Sequence, residues 1–522
     1  MRPIILAILD GWGIAKDSNG NAISQARTPN LNEIEKFYPA TSLQASGIAV
    51  GLPWGEAGNS EVGHLTLGAG RVVYQHLPRI IFSIQNGSFF ENRAFVEAAE
   101  NVKDKNSCLH LMGLVSPGTV HSYLDHLYGL IEFAKRQGIK KLRLHAFTDG
   151  EDSPPKEAIN ILKKVKNKLE ELEDAKIATI MGRFYAMDRN RNWERTEKAY
   201  QCLVDGVGEK FEDPTNALEN FYKNGLTDPF ILPTVIIDPA TKNPLGKVCD
   251  NDSVIFFNFR EDRARQLTKA FVLPKFDNFQ RKILNNFCFV TMTQYEEGLP
   301  VKVAFSPIEI TNHLTEALSK ANKKILKLAE TEKYAHITYF FNGGKEIAYP
   351  DEERILVPST SIPHYDQHPE MGAEEITEKL ISALDEQKFD LAVVNYANTD
   401  MVAHTGNFTA VVKAAEVVDN CIGSLLKLVK EKKCCLIITS DHGNAEEMIN
   451  LKTGQISPEH SANPVPFYLA DEDYKKAAPD NLHLKDEFCQ GIISDVAPTI
   501  LELMKIPKPK EMTGRSLLEI LK

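Results

Sequence analysis

The sequence lacks any run of about 18 uncharged apolar residues, the length a membrane-spanning helix requires. The opening stretch MRPIILAILDGWG reaches Asp10 before the apolar core of a signal peptide is complete, so a cytoplasmic protein with no membrane partner is expected. It also lacks CxxC pairs: the eight cysteines (Cys108, Cys202, Cys249, Cys288, Cys421, Cys434, Cys435 and Cys489) are scattered, mostly in apolar runs. Buried free thiols are expected, and no disulfides. Positive charge is short, with 60 basic residues against 71 acidic ones and a net charge of −11. Nucleic acid is therefore excluded as a general partner, and an anionic substrate would need a local basic pocket. Low-complexity tracts and internal repeats are absent too, which leaves a globular chain.

What is present is length and alternation. At 522 residues the chain exceeds the usual size of one core, so two domains are expected. Short β-rich runs such as PIILAILD, KLRLHAFTD, KIATIMG, SVIFFNF, NFCFVTMTQY, HITYFFNGG, LAVVNYANTD and CCLIITSDHGN read as strands. HSYLDHLYGLIEFAKRQG, PKEAINILKKVKNKLEELE, AEEITEKLISALDEQ and TAVVKAAEVVDNCIGSLLKLVKEK carry the period of amphipathic helices. Apolar strands followed by helices predict an α/β fold with mainly parallel sheets covered on both faces, in which ligands gather at the carboxyl ends of strands.

Acidic residues fall at those ends: Asp10 after ILAIL, Asp400 after VVNYANT and Asp441 after LIITS. Alone, a strand ending in Asp-Gly is a turn signal, and a single His404 or His460 is a hydrogen-bonded structural histidine. Together they are more. NTDMVAH places Asp400 and His404 four apart, SDHGN sets Asp441 beside His442, and PEHSANP adds His460 in a polar loop. Two mixed Asp/His sets suit a pair of divalent ions of manganese, zinc or magnesium type.

Ser60 sits in GLPWGEAGNSEVGHLTLGAGR, a glycine-dense segment expected to be a loop. It is not a nucleophile elbow, because Val62 stands where G-x-S-x-G needs glycine, and no Lys-Ser or Lys-Thr pair follows for a Walker loop. A serine without a dedicated base can be activated by a divalent metal, and that reading of Ser60 fits the Asp/His sets best.

DGWG, GNSEVGH, MGRFYAMDRNRNWER, FFNFREDRARQL, AETEKYAH, NYANTDMVAHTG, SDHGNAE and HSANPVPF follow one another from Ile5 to about Ser516. In that order they resemble the cofactor-independent phosphoglycerate mutases of the alkaline phosphatase superfamily. The resemblance implies an alkaline-phosphatase-like, metal-binding domain formed by residues 1–76 and 311–522, with a phosphotransferase, substrate-binding domain at 77–310 inserted in it. It implies an isomerase that interconverts 3-phosphoglycerate and 2-phosphoglycerate through a phosphoserine at a two-metal site. One manganese ion would be held by Asp400, His404 and His460, and the other by Asp10, Ser60, Asp441 and His442. The protein is expected to act as a monomer on this small molecule.

Forked guanidinium groups suit so anionic a substrate, and Arg183, Arg189, Arg260 and Arg263 are expected to supply the pocket. The resemblance adds His121, Asp152 and Lys333 as substrate or phosphoryl contacts, with Asp152 as general acid and base. The chain departs from the family pattern twice. DGED places Glu151 where the family has arginine, and DRNRNWER replaces the usual Asp-Asn-Arg; Arg191 or Arg143 is a candidate to compensate. A phosphopentomutase or phosphomonoesterase would share the Asp/His sets but not the insert with GRFYAMDR and FNFREDRAR. A catalytically dead binding protein would be expected to have lost a ligand, and none is lost. The crossings YQHLPRI and FSPIEITNH are short and free of Gly/Ser tracts, which suits hinges between domains that close during catalysis.

Overall fold

The computed structural model describes residues 2–359, 364–479, 483–486 and 488–521. The chain divides into two compact units, Met1–Gln75 with Glu309–Lys522, and His76–Ile308.

In the first unit the strand Ile4–Leu9 is buried at every position and lies between two parallel neighbours, Leu391–Tyr396 and Cys435–Thr439. Such a strand needs apolar residues on both faces, which is why IILAIL shows no polar alternation. Ile5, Ala7 and Leu9 pack with the helices Pro29–Phe37, Ala373–Asp385 and Phe408–Lys430. Ile4, Leu6 and Ile8 face the other way, onto Ser60–Ala69, Leu314–Lys320 and Val496–Leu503. The eight-stranded sheet runs Glu352–Val357, Ile325–Glu330, Leu391–Tyr396, Ile4–Leu9, Cys435–Thr439, Val465–Ala470, Ala40–Gln44, Gly491–Ile492. Its first five strands are parallel, and Val465–Ala470 is antiparallel to both neighbours. Both ends of the chain are thus needed to complete one core.

The second unit has its own eight-stranded sheet: Lys302–Phe305, Cys288–Thr293, Ser253–Phe256, Leu109–Leu114, Lys141–Thr148, Asp174–Gly182, Thr234–Ile236, Glu209–Phe211. Only the Asp174–Gly182/Thr234–Ile236 pairing is antiparallel. Leu109 and Leu111 pack with helices Arg93–Lys105, Leu124–Arg136 and Ala158–Leu169, and Met112 and Leu114 with Trp193–Val204 and Arg265–Val272. The fold class is the expected one: two mainly parallel sheets flanked by helices.

HITYFFNGG is not a strand. It continues the helix Thr331–Ala335 as a π-helical stretch, His336–Phe340. Its β-rich composition conceals a helical spacing, because the fully buried Ile337 and Phe341 stand four apart. The thiols are free, but Cys249 and Cys489 are exposed and Cys108 and Cys288 half-buried, so only four of the eight are in the interior as expected.

His126, on the helix Leu124–Arg136, is fully buried, and among the described residues neither ring nitrogen finds a hydrogen-bond partner. Burial lowers its pKa to about 3. The unfolded chain holds an ordinary histidine near 6.5, so the neutral form contributes stability above that pH, lost progressively as the pH falls towards 3. At about pH 5 this loss is roughly 2 kcal/mol. His126→Leu is therefore expected to flatten the acid limb of the stability profile. Urea unfolding at about pH 7.5 and about pH 5 measures it, and an unchanged pH dependence would contradict the assignment.

Candidate active site

Three adjacent parallel strands of the first unit deliver acids to one place. Asp10 follows Ile4–Leu9, and Asp441 with His442 follows Cys435–Thr439. Asp400 was expected at a strand end, but its strand stops at Tyr396 and the chain enters the short helix Asn398–Ala403 first. The helical turn brings Asp400 Oδ1 and His404 Nε2 within 3.3 Å, as residues four apart on a helix allow.

Ser60 is not in a loop either. It opens the helix Ser60–Ala69, whose end is capped by the Asn59 side chain accepting from the Val62 N–H. The glycine at 63 serves close approach: a Cβ there would meet the Asp441 carbonyl oxygen at 2.5 Å. Ser60 Oγ lies 2.7 Å from Lys333 Nζ, 3.0 Å from His442 Nε2 and 3.3 Å from Asp10 Oδ1. Lys333 Nζ also donates to Asp10 Oδ1 and Asp400 Oδ2, each at 2.7 Å. Burial would lower the pKa of Lys333, but Asp10, Asp400 and Asp441 raise it above its ordinary value, so the ammonium persists. Burial and the nearby Asp441 push the Asp10 carboxyl up. Burial opposes ionisation of Asp400 and Asp441 as well, yet Lys333 holds Asp400 low and His442 holds Asp441 low.

The histidines are oriented by backbone. Nδ1 of His404 faces the Pro458 carbonyl at 2.9 Å, that of His460 the Gly58 carbonyl at 2.8 Å, and that of His442 the Gly443 carbonyl at 3.2 Å. Asp400 raises the pKa of His404 and, against burial, that of His460, and their Nε2 atoms are 3.2 Å apart. With Nδ1–H facing a carbonyl, an Nε2 that gives up its proton in favour of a cation presents its lone pair to the same place as the carboxylates. Three buried carboxylates and converging imidazole lone pairs, balanced by one lysine, are a set of acceptors that a divalent cation satisfies. Ligand atoms of Asp400, His442 and His460 lie within 4.8 Å of one another, and so do those of Asp10, His64 and Asp441. His64 was not among the expected site residues, although it stands in GNSEVGH. Its Nδ1 is 2.8 Å from the Ser60 carbonyl and 3.2 Å from Asp441 Oδ2, and its Nε2 is 3.0 Å from Asn395 Nδ2. Asn395 Nδ2 in turn donates to Asp10 Oδ2 at 2.7 Å.

In the second unit the expected arginines converge, each with acidic company. Arg183, 2% exposed, donates to Asp149 at 2.5 Å and Asp152 at 2.8 Å. Arg189 bonds Asp262 at 2.6 Å, Arg260 Nε is 3.4 Å from Asp262, and Arg263 donates to the Met187 carbonyl at 3.4 Å. His121 is buried 3.6 Å from Asp262, and burial, then Arg183, lower its pKa to about 4, so it is neutral near pH 7. Glu151 Oε2 lies 3.3 Å from Arg183 and 3.9 Å from Arg263. Asp149 and Asp262 were not singled out from sequence, though both sit inside the quoted motifs. Arg143 is committed elsewhere, to the carbonyls of Leu142, Leu245 and Asp174 and the Asp174 carboxylate. The Arg191 side chain is exposed.

Residues 80–297 match the family described as BPG-independent PGAM N-terminus, and 299–463 match type I phosphodiesterase / nucleotide pyrophosphatase. A 2,3-bisphosphoglycerate-independent phosphoglycerate mutase of Methanosarcina barkeri is 51% identical over 99% of this chain and 98% of its own length. The chain belongs to the 2,3-bisphosphoglycerate-independent phosphoglycerate mutases. Another member of this mutase family, from Clostridioides difficile, is 49% identical over 99% of both chains. A crystal structure of Leishmania mexicana phosphoglycerate mutase, determined at low cobalt concentration, matches with a TM-score of 0.53 and 29% identity over 98% of this chain and 97% of that one. Among the described residues of this mutase no helix is long and apolar enough to cross a membrane.

Proposed function

We propose that this cytoplasmic mutase interconverts 3-phosphoglycerate and 2-phosphoglycerate in glycolysis and gluconeogenesis, with Ser60 carrying the phosphoryl group between the two hydroxyls. The observation that carries the reading is Ser60 Oγ held among Lys333, His442 and Asp10 at a helix amino terminus. In this reading Asp400, His404 and His460 hold one manganese ion, and Asp10, Ser60, Asp441 and His442 the other. Two such ions supply a lowered serine pKa and charge neutralisation at the phosphate oxygens. Lys333 adds a permanent positive charge beside the serine, and the helix terminus favours an anion there. The second unit binds substrate: Arg183, Arg189, Arg260 and Arg263 take the carboxylate and phosphate oxygens, and neutral His121 offers one donor or acceptor. Asp152, paired with Arg183 as an ionised acceptor, moves the proton of the glycerate hydroxyl.

An enolase-coupled assay with 3-phosphoglycerate tests this reading. Activity is expected without 2,3-bisphosphoglycerate, lost on chelation and restored by manganese; dependence on bisphosphoglycerate would overturn it.

Glu151 already touches two of these arginines. Glu151→Arg would set a third guanidinium against them, so the Michaelis constant for phosphoglycerate is expected to stay level or rise. A clear fall would show that Glu151 faces the substrate instead.

The nucleophile and the arginines belong to different units, and retaining the glycerate is what separates a mutase from a phosphatase. Arg263→Ala is therefore expected to reduce formation of 2-phosphoglycerate more than release of inorganic phosphate. Equal losses, measured in parallel, would mean that Arg263 does not help retain the glycerate.

A further inference from the structure

Several motif residues near the metal ligands have no ligand role: Gly13 in DGWG, Asn444 and Glu446 in SDHGNAE, Ser461 and Asn463 in HSANPVPF. All of them meet at the Glu446 carboxylate, which is 2% exposed. Oε2 accepts the backbone N–H groups of Gly13 at 3.0 Å and Asn444 at 2.9 Å. Oε1 accepts the Ser461 hydroxyl, and Asn463 Nδ2 at 3.0 Å. These four donors are uncharged, so the carboxyl group is held by their geometry.

The donors lie close to proposed ligands in the chain. Gly13 follows Asp10 by three residues. Asn444 follows His442 by two residues, and its side chain donates to Asp400 Oδ1 at 2.8 Å. Ser461 comes directly after His460. One carboxylate thus fastens three separate stretches of chain whose neighbours converge on the proposed ions. Gly13 is required for the approach, since a Cβ there would lie 2.2 Å from Glu446 Cδ.

We infer that Glu446 is a positioning residue that sets the affinity of the site for its divalent ion by fixing the loops of Asp10, His442 and His460 relative to one another. The inference rests on the two-metal reading. Residues that orient metal ligands typically change metal affinity by about 10–100-fold when removed. A carboxylate of only structural value would instead change stability and leave the affinity of the folded protein alone.

The test is manganese binding to the full chain, followed by electron paramagnetic resonance of free Mn(II), beside thermal unfolding without metal. Glu446→Ala is expected to weaken binding by about 10–100-fold. Glu446→Gln keeps one oxygen for the two backbone N–H groups, and its amide can face Ser461 and Asn463 turned to accept, so a loss of about 3–10-fold is expected. Val418→Ala, in the buried core of the helix Phe408–Lys430, is the control: it is expected to lower the melting temperature and leave manganese binding at the wild-type level. Wild-type affinity in Glu446→Ala, or an equal loss of affinity in Val418→Ala, overturns the inference. If the alanine variant does not fold, the glutamine variant decides, and unchanged affinity there overturns it. A wild-type chain that binds no manganese fails the two-metal reading and this inference with it, whereas unchanged variants beside a binding wild type fail the inference alone.

Discussion

Ser60→Ala is expected to lower mutase turnover by roughly 10⁴–10⁶-fold, because the hydroxyl proposed to take the phosphoryl group is then gone. His442 Nε2 lies 3.0 Å from Ser60 Oγ, but in the proposed reading it holds a metal ion. The fold should survive. The Asn59 cap, which holds the start of this helix, does not involve the Ser60 side chain. Steady-state rates and a melting curve on the same preparation check both halves. A variant that keeps more than about 1% of the turnover would exclude Ser60 as the carrier.

Lys333→Met is expected to be the second most damaging substitution. Lys333 Nζ bonds Asp10, Ser60 and Asp400 together, and it is 4% exposed. Removing one partner from such a buried arrangement costs about 3–5 kcal/mol, because Asp10 and Asp400 are left uncompensated in the metal-free chain. Loss of a positive charge beside the transferring group should lower turnover by about 10²–10³-fold even with manganese in excess. The stability loss should shrink when manganese is present, since the ions compensate the same carboxylates. A turnover within about tenfold of wild type would contradict the role given to Lys333.

The clustering of the Asp/His residues was legible because of where parallel strands end. Asp10 comes directly after its strand, and Asp441 with His442 follow theirs after one intervening residue, so an apolar run and the acid that follows are enough to place them. Asp400 and His404 were legible as a pair through their spacing of four, although that spacing belongs to a helix and not to the strand before it. His64 and Glu446 stand inside the quoted motifs, yet nothing local marks them. Their partners include Asn395, 331 residues from His64, and Gly13, 433 residues from Glu446, and such pairings exist only once the chain has folded. The same holds for the arginines. Sequence pointed to an excess of positive charge, whereas Arg183 is neutralised by Asp149 and Asp152, and Asp262 serves Arg189 and Arg260. HITYFFNGG misled for a simpler reason, since β-branched and aromatic residues also fill helices when they recur at i and i+4.

The most direct test of the phosphoserine is to trap it. The protein, with manganese, is mixed with 3-phosphoglycerate carrying an isotope-labelled phosphoryl group, quenched in acid within a turnover, and digested. The account predicts acid-stable label on the peptide that contains Ser60, absent from Ser60→Ala and chased off by unlabelled phosphoglycerate. Label that survives a parallel alkaline quench but not acid, as on a histidine, or turnover with no labelled protein at any quench time, would contradict it.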